Sequence, residues 1–206
     1  MTLQELIAEG EHQQQDFKFR VDDARKIART MSAFANSEGG RLLIGVKDNG
    51  KIAGVDPSEE IHIIDAAADM YCTPKVPFTT EVWQEGHKLV LLVFVKPSEE
   101  KPHKSPDEEG KWVTYVRVGD NTLLANKILV RVWKKQKTNI AQPEEMSQPQ
   151  LDFLRLIASQ EKSTLSSLYR NSSLKKRDID DLLVLFICWG LVEQQITPEG
   201  TFYLSV

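Results

Sequence analysis

Cysteine is nearly missing from the 206 residues: Cys72 and Cys188 stand alone, 116 positions apart. That spacing supports neither a disulfide framework nor a cysteine metal site, and both are read as buried core thiols. Long apolar runs are missing too. The longest, LVLLVFV at 89–95, is far short of the roughly 20 residues that span a bilayer. Met1 opens a polar segment rather than a signal peptide, so a cytoplasmic protein without a membrane partner is expected. No G-x-x-x-x-G-K-[ST] occurs, so ATP binding through a P-loop is unsupported, and G-x-G-x-x-G, G-x-S-x-G and H-E-x-x-H are absent as well. The four histidines, His12, His62, His87 and His103, have no zinc-site spacing. An excess of positive charge is also lacking. Lys and Arg number 26 against 30 Asp and Glu, a net of −4, which is not the footprint of a protein that coats nucleic acid. From Ser147 onward the count is 6 basic and 7 acidic residues, against 20 and 23 before it, so any contact with nucleic acid must be local.

What is present, 41% hydrophobic and 27% charged residues, suits one well-buried core and a smaller appended one. Thr2-Leu3-Gln4-Glu5 has capping-box form ahead of a short helix ended by Gly10. Residues 15–20 alternate, with Asp16, Lys18 and Arg20 on one face and Phe17 and Phe19 on the other, as in a strand. Asp22 or Asp23 caps a helix whose stripe is Ala24, Ile27, Ala28, Met31, Phe34 and Ala35, stopped by Gly39-Gly40. Residues 41–46 and 51–55 around Asn49-Gly50 read as a β-hairpin. A helix over 58–71, strands at 78–84 and 88–95, a polar loop at 97–110 and a strand at 111–118 follow. A turn at Gly119-Asp120-Asn121 leads into a helix from Thr122 to about Lys137. This order is α+β.

Residues 138–146 lack periodicity and read as a linker, dividing a domain at 1–137 from a second at 147–206. In the latter, 147–159 is a helix, Ser163 caps a short helix through Tyr169, 174–189 forms a third, and a hairpin closes the chain. Three helices and a hairpin are the winged-helix order.

Three constellations can carry chemistry. Glu11-x4-Asp16-x-Lys18 joins two carboxylates and an ammonium at the start of a strand. Carboxylate oxygens suit a hard divalent cation and the lysine suits a phosphate, while an amphipathic edge strand with solvated charges uses the same residues. Asn36-Ser37-Glu38-Gly39-Gly40, followed by Asp48-Asn49-Gly50, offers approachable backbone amides for an anion; a helix C-cap and a tight turn need the same glycines. Lys175-Lys176-Arg177 opens the third helix of the second domain, where a recognition helix would meet phosphates and guanine edges. Asp178, Asp180 and Asp181 dilute its field. The broad apolar surface of that helix, Leu182, Leu183, Leu185, Phe186, Ile187 and Trp189, suits either a second subunit or a larger core.

GEHQQQDFK, AFANSEGGRLLIGVKDNGKIAGV and YVRVGDN together resemble the successive motifs of the Schlafen AlbA-like DNA-binding domain family, which also carries a divergent AAA-type ATP-binding label. The likeness covers about residues 5–130. In members with nuclease activity, an E-x4-E-x-K pattern and a later Asp form a metal-dependent RNA-cleaving site. Glu11, Asp16 and Lys18 match it, with Asp in place of the second Glu and a reach one methylene shorter. The resemblance thus implies Glu11, Asp16 and Lys18 as a catalytic group, and Glu11, Asp16 and Asp48 as ligands of Mg²⁺ or Mn²⁺. It also implies nucleic-acid contacts at Asn36, Ser37, Gly39, Gly40, Arg117 and Asn121, beside Lys175, Lys176 and Arg177. Small microbial members place this domain before a winged helix, as transcriptional regulators do. The expectation is a DNA- or RNA-binding regulator, homodimeric and without catalysis. A metal-dependent ribonuclease and a protein-interaction or dimerisation module stand as alternatives.

Overall fold

The computed structural model describes residues 2–138, 141–143 and 145–206. It divides into two compact units, Met1–Leu124 and Ala125–Val206. Mixed helices and sheets in both make the chain α+β, as expected.

The first unit is built on a four-stranded sheet of order β1-β2-β4-β3. β1 (Gln15–Lys18) runs parallel to β2 (Gly40–Ile44), and α2 (Ala24–Asn36) makes the crossover between them. A parallel pair requires such a connection. β4 (Lys88–Val95) and β3 (Phe78–Glu85) add antiparallel beyond β2. Both faces of the sheet are covered, which explains the nearly continuous apolar run of β4. On one face Leu42, Ile44, Leu91 and Val93 meet Ile27, Met31 and Phe34 of α2 and Ile64 of α3 (Pro57–Met70). On the other, Leu43, Val90 and Leu92 meet Phe17 and Leu3 and Leu6 of α1 (Leu3–Ala8). The capping box of α1 is complete, since Thr2 and Glu5 bond each other's backbone amides. Asp23 caps α2 by accepting the Arg25 N–H.

A second, antiparallel sheet of order β5-β6-β7 consists of β5 (Lys104–Pro106), β6 (Trp112–Val118) and β7 (Asn121–Leu124). It is tied to α2 by Asn36. The buried Asn36 amide donates to the carbonyls of His103 and Tyr115, 2.8 Å each, and its oxygen accepts the His103 N–H at 2.8 Å. Beside it, the hydroxyls of Ser32 and Ser105 bond at 3.0 Å.

The second unit runs α4 (Lys127–Gln136), α5 (Gln148–Ala158), β8 (Ser163–Thr164), α6 (Leu165–Asn171), α7 (Lys176–Cys188), β9 (Val192–Thr197) and β10 (Gly200–Ser205). Its sheet has the order β8-β10-β9 and is antiparallel. Phe153, Ile157, Leu168, Ile179, Leu183, Phe186 and Tyr203 form the core, with the rings of Phe153 and Phe186 stacked at 6.1 Å. Cys188 packs against this core and Cys72 is buried in the first. Burial pushes the Cys72 thiol up to about 12. Among the described residues no helix is long and apolar enough to cross a membrane.

The structure departs from the sequence reading at several elements. The Asn49-Gly50 turn exists, with the Gly50 N–H on the Lys47 carbonyl at 2.7 Å. Residues 51–55, however, form no strand, only a Val46–Ile52 bridge. β1 and β4 already occupy both edges of β2, so a return strand has nothing to pair with. The polar loop at 97–110 contains β5. Residues 121–124 pair with β6, and the helix expected from Thr122 starts only at Lys127, capped by Asn126. Thr164 rather than Ser163 caps α6. The sequence boundary after residue 137 assigned α4 to the first domain. Its Ile128 and Val132 instead enter the core of the second unit. Part of the expected linker, residues 139, 140 and 144, lies outside the described residues.

Asn36→Ala should lower the stability of the first unit by about 2–4 kcal/mol, because three buried backbone groups lose their partner. Urea unfolding of the full chain, followed by circular dichroism, measures it.

Candidate functional site

Asp16 lies on β1, in register with Leu42. Period-two alternation suggested a charged face in water, yet Asp16 is buried. Its Oδ1 sits 3.2 Å from Nη2 of Arg117, itself 4% exposed, and Lys18 forms an ion pair with Oδ2. That oxygen accepts no aligned hydrogen bond among the described residues. Arg117, on β6, also donates through Nη2 to the Gln15 carbonyl at 3.1 Å, and its guanidinium lies 5.4 Å from the Phe34 ring centre. Its backbone N–H donates to the Ser37 hydroxyl at 2.8 Å.

Glu11 joins this cluster from the preceding turn. One carboxylate oxygen accepts the Phe17 N–H at 2.8 Å. Its pKa is raised, first by desolvation and further by the charge of Asp16; the Phe17 hydrogen bond and Lys18 act the other way. Glu11 and Asp16 thus lie close enough for each charge to act on the other. Asp48 is exposed in the turn after β2, and among the described residues no group of three or more His, Cys, Asp or Glu is placed to hold a metal ion. Lys18 and Arg117 both pair with Asp16, so a divalent ion would compete with two cations for that carboxylate.

The glycine segment answers to packing. Gly39 has φ +75° and donates its N–H to the Phe34 carbonyl at 2.9 Å, closing α2. A Cβ there would lie 2.7 Å from the Pro97 ring and the Val95 carbonyl, and one on Gly40 would lie 2.5 Å from the Phe34 ring. Asn36 spends its amide on His103 and Tyr115. Of the nucleic-acid contacts implied for this unit, then, Asn36, Gly39 and Arg117 are buried, Ser37 binds the Arg117 backbone, and Gly40 abuts Phe34. Asn121 alone is exposed, its amide on the Asp120 carboxylate at 2.7 Å.

In the second unit the basic triplet is open. Lys175, Lys176 and Arg177 are all exposed at the amino end of α7. The acids expected to dilute them are largely turned away. Asp180 accepts from Lys127 Nζ at 2.6 Å and from the Tyr169 hydroxyl. Asp181 pairs with Arg131. Both cations belong to α4, so two of the three aspartates bind α4 to α7. The Tyr169 ring has Lys127 Nζ 5.3 Å from its centre and Lys176 Nζ at 5.4 Å, so the same tyrosine also positions Lys176. Burial, then the bond to Asp180, raises the Tyr169 phenol; Asp180 and Tyr169 raise Lys127. Sequence reasoning missed this cluster because α4 had been assigned to the other domain. The alternation of α4, KILVRVWKKQ, with no acidic residue, was the available signal. With α4 included, residues 125–206 carry 11 basic and 9 acidic residues, a net of +2 where the Ser147 division left −1. α4 also packs along α7, which accounts within one chain for the broad apolar surface that had suggested a second subunit.

A family model described as Schlafen, AlbA_2 matches residues 11–126. No curated protein matches the chain. Among solved structures, the DIP2311 protein of Corynebacterium diphtheriae is similar at 19% identity and a TM-score of 0.46, covering 94% of this chain and 38% of its own. This chain thus spans well under half of that protein. The N-terminal domain of a Nitrosomonas europaea protein described as related to the ATP-dependent DNA helicase RecG is similar at 20% identity and a TM-score of 0.41, covering 71% of this chain and 99% of its own.

Two outcomes test the cluster. Arg117→Met should destabilise the protein by about 3–5 kcal/mol, since it strands Asp16 in the interior; chemical denaturation reads it. Because the folded-state pKa of Glu11 is raised, its stabilising contribution is present below the usual carboxylate range and lost as pH rises through the folded value. Glu11→Gln should therefore gain stability relative to the parent as pH rises from 3 to 7, seen in paired thermal melts.

Proposed function

The chain belongs to the Schlafen AlbA_2 family, and on that premise we propose that it is a nucleic-acid-binding protein, a transcriptional regulator that works without catalysis of its own. Its second unit is taken as a winged helix that reads duplex DNA. The observation that carries this reading is the exposed triplet Lys175-Lys176-Arg177 at the start of α7, with Asp180 and Asp181 drawn off by Lys127 and Arg131. In a helix-turn-helix the amino-terminal residues of the second helix approach the major groove. Here α6, a turn at 172–175 and α7 supply that motif, and the β9–β10 hairpin supplies the wing. The net positive charge of residues 125–206 adds the phosphate attraction that the whole-chain balance had hidden.

The charge state of the first unit's cluster favours binding over cleavage. Metal-assisted hydrolysis needs carboxylates free to hold an ion. Asp16 is committed to Arg117 and Lys18.

Replacing Lys175, Lys176 and Arg177 together by alanine should weaken duplex binding and reduce the slope of log K against log salt by about 2–3, which fluorescence anisotropy measures. An unchanged slope would remove α7 from the interface. RNA cleavage that requires Mg²⁺ and disappears in Glu11→Gln would overturn the non-catalytic reading.

A further inference from the structure

We propose that Phe19, Arg20 and Lys47 form a stacking site for single-stranded nucleic acid on the first unit. The proposal rests on the nucleic-acid reading above but uses the other unit and another form of ligand. β1 ends at Lys18, so Phe19, which strict alternation would bury with Phe17, is 49% exposed. It is the aromatic next in sequence to the buried charge cluster, and Lys47 reaches it from the turn after β2. Lys47 Nζ lies 5.2 Å from the ring centre and the Arg20 guanidinium carbon 6.0 Å.

Those distances sit near the outer limit of cation–π contact, about 6 Å. Each cation can therefore yield the ring to a base and still reach the adjoining phosphate. An exposed aromatic face bracketed by cations is the arrangement on which unstacked bases bind with little sequence preference. A duplex buries its base faces in its own stack and cannot use such a site. The local field is modest, which sets the expected strength. Arg20 faces Asp22 at 4.0 Å, both side chains about two-thirds exposed, and Asp48 adjoins Lys47 in the chain. Loose exposed pairs of this kind are weak and readily exchanged for a phosphate. Binding by the site should be short in reach and sensitive to salt.

The test is fluorescence anisotropy on the full chain with labelled ten-residue oligo(dT) and oligo(U), and with a duplex of mixed sequence. Phe19→Ala should weaken single-strand binding about tenfold, the loss of one base stack. Phe19→Tyr should keep it within about twofold. Replacing Arg20 and Lys47 together by glutamine should flatten the single-strand salt slope by about 1.4, two phosphate contacts' worth. Duplex affinity should be unchanged in all three, and alanine at Lys175, Lys176 and Arg177 should leave single-strand affinity intact. A parent chain that binds duplex but neither oligomer would overturn this site and leave the α7 reading standing. Single-strand affinity unchanged in Phe19→Ala would overturn it as well. Loss of duplex binding with retained, Phe19-dependent single-strand binding would sink the α7 reading alone. Because Phe19 is exposed, an unaltered thermal melt of Phe19→Ala checks that the fold is intact.

Discussion

A guanidinium taken out of water must replace every hydrogen bond it gives up, and Arg117 does so by drawing the first unit together around itself. Its charge meets Asp16 on β1, one nitrogen bonds the Gln15 carbonyl, its plane lies over Phe34 of α2, and its backbone is held by Ser37. Three segments that are distant in sequence, β1, the end of α2 and β6, converge on one residue. Replacing such a buried pair wholesale by apolar groups need not cost stability, but removing one partner does, because the other is left charged in a poor solvent. The arrangement therefore fixes which segments meet more than it adds to the free energy of folding.

That constraint also explains the character of the acidic pair. Glu11 and Asp16 stand where the E-x4-E-x-K pattern puts them, yet the cations that share their space are part of the same fold. Asp16 reads as a surface charge from its neighbours because its face of an edge strand should look outward. It is internal because β6, nearly a hundred residues later, lays Arg117 over that face. No local pattern carries information about a partner so far along the chain.

The elements themselves were mostly legible. The caps at Thr2 and Asp23, the helix over 57–70, the strands at 78–85 and 88–95 and the hairpin at the end all follow from short-range chemistry, and each forms. What went astray depended on competition between elements. Lys51–Val55 has strand composition, but β4 had already claimed the edge of β2. The pairing of Asn121–Leu124 with β6 prevailed over helix formation at Thr122. Misplacing α4 had the largest consequence, since its four cations and Lys137 moved with it and the sign of the second unit's charge changed. The glycines illustrate the reverse case. Their pattern was read correctly as special, but the reason is the crowding of Phe34, Val95 and Pro97.

One small contact bears on how the chain is made. Gln13, ahead of β1, donates to the Arg117 carbonyl at 2.9 Å and accepts the Gly119 N–H at 2.8 Å. With the Asp16–Arg117 pair, this joins the first eighteen residues to the last strands of their unit. During synthesis the Asp16 carboxylate and the Gln13 amide can meet these partners only after residue 119 has left the ribosome. Closure over so long a loop is slow, because its entropy is lost before the contacts that repay it can form. In that interval the unsatisfied aspartate is an advantage. A charge on an open strand edge discourages pairing with another chain, and the same residue later anchors the interior.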